Sequence, residues 1–297
     1  MRVLDLPQSL DYRSVGEVME RAVECRGEKV LLDGRRLRFV DPVGMLGLLG
    51  NGRYLGEGSG APPRLALDPD SDVHRYLARM NFFEAAEGVL AVEGVARPRR
   101  GGASDVLLEI TPIAENRDVH ALVEHIQDRA GTILSRTLGY PPSAVIQFAV
   151  ILSEVCQNIL EHAGAPGWVA AQTYQWSRRL GRQVLVLAVG DLGRGFRGSL
   201  EGEHAGRFGS RWGDATALEA AFIHGLTRFP DQGRGQGIQQ IRKQVRRWGG
   251  VISVRSGRAR IADSADWEAL PPMEDGLAPF PGAWITILLP AAEGAGE

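Results

Sequence analysis

The sequence predicts an α/β protein built as two domains, and three observations carry that expectation. Residues 1 to about 92 alternate short apolar runs with helical segments, the order of a layered α/β unit. Residues 93 to 105, EGVARPRRGGASD, lose periodicity and concentrate Pro, Gly and Arg, the composition of an exposed boundary. From about residue 119 the order changes to two consecutive helices followed by strands. The 297 residues suffice for two such units. The expected division is a domain over 1–92, a linker and lead-in segment over 93–118, and a second domain over 119–297.

In the first part, RVLDLP, KVLLDG and RLRFV are short apolar runs bounded by turn residues and read as strands around the helical segment DYRSVGEVMERAVEC. After DPVG, MLGLLGNGRYLG is apolar at helical spacing, RLALD reads as a strand, and DSDVHRYLARMNFFEAAEG opens with Asp and Ser and keeps a period near 3.6. In the second part, DVHALVEHIQDRAGTILSRTL and SAVIQFAVILSEVCQNILEHAG read as helices, and WVAAQTYQW and RQVLVLAVGD as strands. A long Gly/Arg-rich stretch follows. Then come a helix ATALEAAFIHGL, the glycine-rich DQGRGQG, a helix IQQIRKQVRRWGG, a strand VISVRSG, a polar excursion and a last strand WITILLP. No internal repeat or low-complexity tract interrupts this order.

A composition of 44% hydrophobic and 24% charged residues excludes disordered, collagenous and disulfide-scaffold classes. The formal charge of -2 supplies no global field toward nucleic acid or anionic lipid, so neither a direct nucleic-acid partner nor a membrane is expected. Cys25 and Cys156 lie in different halves and suggest a reduced protein without a metal site. No stretch reads as the roughly 20 apolar residues of a membrane helix, and the start lacks a signal-peptide core, so a cytosolic location is expected. Lysine occurs only as Lys29 and Lys243, and neither follows the Gly-Lys-Ser/Thr pattern of a P-loop, which excludes Walker-type nucleotide binding.

Three segments could carry chemistry. In SAVIQFAVILSEVCQNILEHAG, Phe148, Leu152, Val155 and Ile159 form an apolar stripe, and Glu154 and Asn158, four apart, share another face. Alone this is a solvated polar side; in company it is a general base beside a carboxamide ligand for a hard cation. Next, VLVLAVGDLGRG is a strong strand ending in Asp191 with Gly193 and Gly195 behind it, either a plain turn or an acid placed to accept a hydrogen bond from an exocyclic amine. Last, Gly233, Gly235 and Gly237 precede a helix, where backbone N–H groups can approach phosphate. His120 and His125 read as structural. In RKQVRRW, Ile238, Ile241 and Val245 face inward and the arginines outward, which favours an exposed helix face over a nucleic-acid site.

Taken in order and spacing, the Glu/Asn helix, the Asp-x-Gly-x-Gly strand end, the Gly-x-Gly-x-Gly helix start and the final strand ending Leu-Pro resemble the GHKL ATPases, a family that includes gyrase, the ninety-kilodalton heat-shock chaperones, histidine kinases and anti-sigma-factor serine kinases. The resemblance covers about residues 119 to 291 and implies a Bergerat α/β sandwich with a mixed sheet, ATP and Mg2+ as ligands, and an ATP lid over 196–232. It implies Glu154 as catalytic base, Asn158 as magnesium ligand and Asp191 as adenine reader. Gly193, Gly195, Gly233, Arg234, Gly235 and Gly237 would shape the pocket and phosphate loop. Ser153, Glu154, Asn158, His162 and Ala163 follow the serine-kinase branch most closely, which implies that His162 touches the nucleotide or supports Glu154, where alone it reads as a packed or half-exposed helical residue. Where the family runs Gly-Thr before its last strand, this chain has Gly282 then Ala283; the missing hydroxyl is worth about 1 kcal/mol, with Thr286 or a water as the candidate to compensate.

In the N-terminal half, LLDGRRLRFVDPVGMLGLLG resembles the strand-turn-helix of STAS (anti-anti-sigma) domains. Where STAS substrates carry Asp-Ser-Ser/Thr-Gly, this chain has Asp41, Pro42, Val43 and Gly44, so that site has no hydroxyl to accept phosphate. The resemblance therefore implies a docking or regulatory module. The expectation is a MgATP-binding regulatory ATPase or serine/threonine kinase, binding ATP and ADP, with a STAS-domain or sigma-factor-like protein as partner and a homodimer left open. The alternative is a non-catalytic nucleotide-sensing scaffold.

Overall fold

A computed structural model describes residues 1–93, 107–122, 124, 133–176, 180–227 and 237–292, and its architecture is mixed α/β. Strand β1 (Arg2–Asp5), β2 (Ser9–Leu10), helix α1 (Val15–Glu24), β3 (Val30–Asp33), β4 (Phe39–Val40), helix α2 (Pro42–Ser59), β5 (Arg64–Ala66), helices α3 (Asp72–Arg79) and α4 (Phe82–Ala85) and β6 (Ala91–Val92) form the N-terminal part. The helical period expected to run on through Met80 is broken because Asn81 adopts φ 58, which separates α3 from α4. Strands β1, β3, β5 and β6 make a parallel sheet in the order β1-β3-β5-β6, and β2 pairs with β4.

The C-terminal part begins with β7 (Leu108–Ile113) and a helix α5 over residues 116–122. A π-helical turn (Ile133–Thr137) leads to α6 (Pro142–Asn158), which a second π turn extends through Ala163, and then to β8 (Gly167–Trp176) and β9 (Arg182–Asp191). Helices α7 (Gly195–Phe208), α8 (Asp214–Phe222) and α9 (Gly237–Arg247) follow, then β10 (Val251–Gly257), β11 (Ala259–Asp263), β12 (Met273–Glu274) and β13 (Phe280–Pro290). Two expectations change here. Residues 108–113, placed in the linker and lead-in segment, are an edge strand of the large sheet, paired with β8. The Gly/Arg-rich stretch contains a helix, α7, because buried Leu200 and His204 anchor it against the core, whereas α8 is the helix expected over ATALEAAFIHGL, held by buried Ala217, Leu218 and Phe222.

The seven strands of that sheet run β12-β11-β10-β13-β9-β8-β7. The mixed sheet expected for this part is corrected: each pairing is antiparallel, since β8–β9 and β10–β11 are hairpins and β13 runs between β9 and β10 opposite to both. Both faces are covered. On β9, Leu185, Leu187 and Val189 point into a core with α6, α8 and α9, while Val184, Val186 and Ala188 point into a core shared with the N-terminal part. That shared core continues through α2 to Leu4, Leu32 and Leu65.

Helix α2 is the joint. Every residue from Asp41 to Gly52 is buried, and its glycines mark where neighbours approach the backbone: a Cβ on Gly44 would fall 2.1 Å from the carbonyl oxygen of Leu10, and one on Gly50 would fall 2.2 Å from Trp284 Cη2. The segment Asp41 to Gly44, where STAS substrates carry their acceptor hydroxyl, is therefore enclosed by the chain itself. Asp41, 1% exposed, caps α2, accepting hydrogen bonds from the N–H of Gly44 at 2.8 Å and of Tyr12 at 3.2 Å. Burial raises its pKa from the ordinary 3.8 to about 7. A folded-state pKa above the unfolded one means the folded protein holds the proton more tightly, so this contribution to stability is present at acid pH and lost as pH rises through about 7. Urea unfolding of wild type and Asp41→Asn is thus expected to give a stability difference that shifts in favour of the variant between pH 5 and pH 8; a difference flat with pH contradicts it.

One helical stretch, Pro142–Ala163, has the length and mean hydropathy of a membrane span, at 22 residues and 1.5, which the sequence reading missed. Phe148, Leu152, Val155 and Ile159 of this stretch are buried in the core as the stripe predicted, whereas Ile146 and Val150 are exposed. On α9, Ile238, Ile241 and Val245 are buried as expected, and Arg246 and Arg247 are exposed. Arg242 departs from the outward expectation: its Nε donates to Asp263 at 2.7 Å and its guanidinium stacks over Phe222. His120 is exposed, and His125 lies outside the described residues.

Candidate functional site

A cavity of about 400 Å3 opens between the C-terminal end of α6, the ends of β9 and β13, and the starts of α7 and α9. Glu154 and Asn158 enter it from α6, one turn apart as their spacing dictates, and His162 follows one turn later from the π turn. Asp191 enters from the end of β9, Gly195 from the start of α7, Gly237 from the start of α9, and Ala283 and Ile285 from β13. Residues chosen separately along some 130 positions of sequence thus meet around one space of the size that small-molecule ligands occupy.

Asp191 is 4% exposed. Its Oδ1 accepts a hydrogen bond from the N–H of Gly193 at 2.8 Å, and the N–H of Ala283 also donates to the carboxylate. Burial raises its pKa from 3.8 to about 6, and those two N–H groups oppose the rise. A carboxylate has about four lone-pair sites, so two backbone donors leave acceptor capacity for a ligand amine.

Tight backbone packing fixes this strand end. A Cβ on Gly193 would fall 2.1 Å from the carbonyl oxygen of Ala163, and one on Gly282, at φ 81, would fall 1.8 Å from that of Asp191. Ser256, 3% exposed, ties the two sides together: its Oγ accepts from the N–H of Phe196 at 3.0 Å and donates to the Gly282 carbonyl at 2.8 Å. Across the cavity, a Cβ on Gly237 would fall 2.8 Å from Glu154 Oε2, so that carboxylate lies directly against the first residue of α9. His162 Nδ1 lies 3.1 Å from Ser199 Oγ, which links the α6 terminus to α7.

One predicted site residue does not take part. Thr286 lies on the opposite face of the sheet, because side chains alternate along β13: Ala283 and Ile285 face the cavity, whereas Trp284 and Thr286 face α1. Thr286 therefore cannot replace the hydroxyl missing at Ala283. Gly233, Arg234 and Gly235 lie outside the described residues, as does the end of the expected lid from 228. Ser199, Phe196 and Ser256 were not singled out in the sequence. The first two sat in a Gly/Arg-rich stretch without visible periodicity, and Ser256 acts through a contact with residues distant in sequence.

Among the described residues no group of three His, Cys, Asp or Glu side chains could hold a metal by itself. That donor set still fits Mg2+ brought in with a nucleotide, since Mg2+ typically takes one or two protein ligands and completes its shell with phosphate and water. The side-chain oxygen of Asn158 and the carboxylate of Glu154 are among the hard donors that line the cavity, one helical turn apart. No protein-family model and no curated protein matches the chain, so the reading of the cavity rests on its own geometry.

Proposed function

We propose that this protein is a cytosolic MgATP-binding regulator, an ATPase or serine/threonine protein kinase of the GHKL type with a Bergerat-like C-terminal domain and a STAS-like N-terminal one. The observation that carries the proposal is the convergence of Glu154, Asn158, His162, Asp191 and Gly237 on one cavity, with a buried carboxylate at one end and a carboxylate and carboxamide beside a helix start at the other. Asp191 would accept a hydrogen bond from the adenine amino group. The start of α9 would face the phosphates, with the residues before Gly237 completing the loop. Asn158 would hold Mg2+, which supplies charge neutralisation on the phosphate oxygens. Glu154 would accept the proton of the attacking hydroxyl, from water in the ATPase version or from a partner's Ser or Thr in the kinase version.

The burial of Asp41 to Gly44 revises the role of the N-terminal part within this proposal. It covers the back of the nucleotide-binding sheet, and the acceptor hydroxyl belongs to a separate regulatory protein, such as one with an intact Asp-Ser-Ser/Thr-Gly loop. Incubation with Mg2+ and γ-labelled ATP, alone and with a cytosolic extract, tests the proposal. Label on a protein identifies a kinase and free labelled phosphate an ATPase. Nucleotide binding without either leaves the sensing scaffold, the reading that Ala283 favours by lacking a hydroxyl; absence of binding overturns all three.

The Asp191 pKa near 6 adds a pH signature. Affinity for ATP is expected to weaken as pH falls through about 6, where the carboxylate that reads the amine takes up its proton. Asp191→Asn is expected to bind more weakly at pH 7.5 and to lose that slope. Calorimetric titration at pH 5.5, 6.5 and 7.5 checks this, and equal slopes in the two proteins would remove Asp191 from the adenine site.

A further inference from the structure

On the other face of the large sheet lies a second cavity, of about 200 Å3, between α1 and strands β10, β11, β12 and β13. It has room for several waters or a small organic molecule, though not for a nucleotide. Its floor is a patch of the sheet where Arg255 sits directly opposite Arg260, and Ser253 opposite Thr286. Val15 and Met19 of α1 close it from the N-terminal side.

Two like charges facing each other across a strand pair repel, and a buried charge without a counter-ion is costly. Arg260 is compensated by its ion pair with Glu274. Arg255 forms no such pair among the described residues, and only the carboxylates of Glu20 and Glu274, beyond ion-pair distance, offset its charge. It is 7% exposed, and among the described residues its guanidinium donates to the backbone carbonyls of Ala278 at 3.0 Å and more weakly of Gly16 at 3.5 Å, while its Nε is buried without a partner. The Nε of Arg260 is likewise buried and unpartnered. Glu17 and Glu20 also line the cavity, yet among the described residues neither reaches ion-pair distance of Arg255. Arg13, at the rim, is already engaged by Glu268. Burial lowers the pKa of Arg255, and the charges of Glu20 and Glu274 do not fully offset that fall. Water in the cavity would satisfy the Nε hydrogens but would leave the Arg255 charge without a direct counter-ion.

We propose that this cavity is a second ligand site, distinct from the nucleotide cavity, which binds a compact oxyanion, the carboxylate or phosphate of a small molecule, on Arg255 with Ser253 and Thr286 as hydroxyl donors. It lies between the N-terminal part and the sheet, so an anion there stabilises that junction by occupying the folded state alone.

The test follows the thermal unfolding midpoint against inorganic phosphate or malonate, with sodium chloride at equal ionic strength as reference, for the full chain and for Arg255→Met. Wild type is expected to rise with at least one anion in a saturable manner, and the anion that acts identifies the headgroup. In Arg255→Met the apparent affinity is expected to fall at least tenfold. Anions could also enter the nucleotide cavity, so the reading is the difference between the two proteins, whose nucleotide cavities are identical. No rise in wild type with either anion, or the same rise in both proteins, overturns the proposal. If Arg255→Met does not fold, the double variant Ser253→Ala/Thr286→Val removes two donors and no charge. It is expected to weaken the response several-fold, and an unchanged response overturns the proposal.

Discussion

Replacing Glu154 by Gln is expected to lower phosphate release or transfer by about 10²–10⁴-fold, the usual contribution of a positioned general base, while ATP affinity stays within a few-fold. The substitution keeps size and hydrogen-bonding reach and removes only the capacity to accept a proton. Binding should survive because, in the proposed site, the adenine end is read by Asp191, which is held by the N–H of Gly193 and the packed backbone of Gly282 rather than by Glu154. Single-turnover measurement with saturating MgATP separates the two quantities, since it reads the chemical step after binding is complete. Turnover unchanged by the substitution would show that Glu154 is not the base. A comparable fall in affinity would show instead that the carboxylate holds the nucleotide or its metal.

That this residue could be chosen without coordinates has a physical reason. Glu154 and Asn158 are one helical turn apart, so their juxtaposition is a local fact, and Asp191 at the end of an apolar strand is equally local. What the sequence concealed is non-local. The continuous apolar run VLVLAV on β9 does signal a strand buried on both faces, but it does not say that the N-terminal part supplies the second cover. The glycines at 44, 47 and 50 recur every three positions on α2 and mark a close-packed stripe; beside a STAS-like motif they read as an ordinary amphipathic helix. Thr286 was misplaced although its parity was legible, since Ala283 and Thr286 differ by an odd number and must face opposite sides of a strand. Strand β7 escaped notice because Thr111 and Pro112 interrupt its pattern just after the boundary-like segment. Helix α7 was hidden by glycines that lower its intrinsic propensity, a cost offset by the burial of Leu200 and His204.

The largest expected effect on stability comes from the side chain that joins the two parts. Trp284 is 8% exposed, donates from its indole N–H to the Pro281 carbonyl at 3.0 Å, and packs edge-on against Phe280 with ring centroids 5.6 Å apart. Its ring fills the space that a Cβ would need on either side, 2.2 Å from such an atom on Gly50 of α2 and 2.5 Å from one on Gly190 of β9. Glycines facing a tryptophan leave no side chain able to move in and fill the space it vacates. Trp284→Ala is therefore expected to cost about 3–5 kcal/mol, the range for deleting a large aromatic from a core that cannot collapse around the void. The urea midpoint should fall accordingly. Because the core on that face runs without interruption from α2 into β9 and β13, unfolding of wild type is expected to be a single transition that saturating MgATP shifts as a whole. In the variant the same ligand should protect the sheet more than the N-terminal part, splitting the transition seen by tryptophan fluorescence from that seen by far-ultraviolet circular dichroism. A loss below about 1 kcal/mol, well short of the range for such a deletion, would mean that the two parts are held together elsewhere than at this ring.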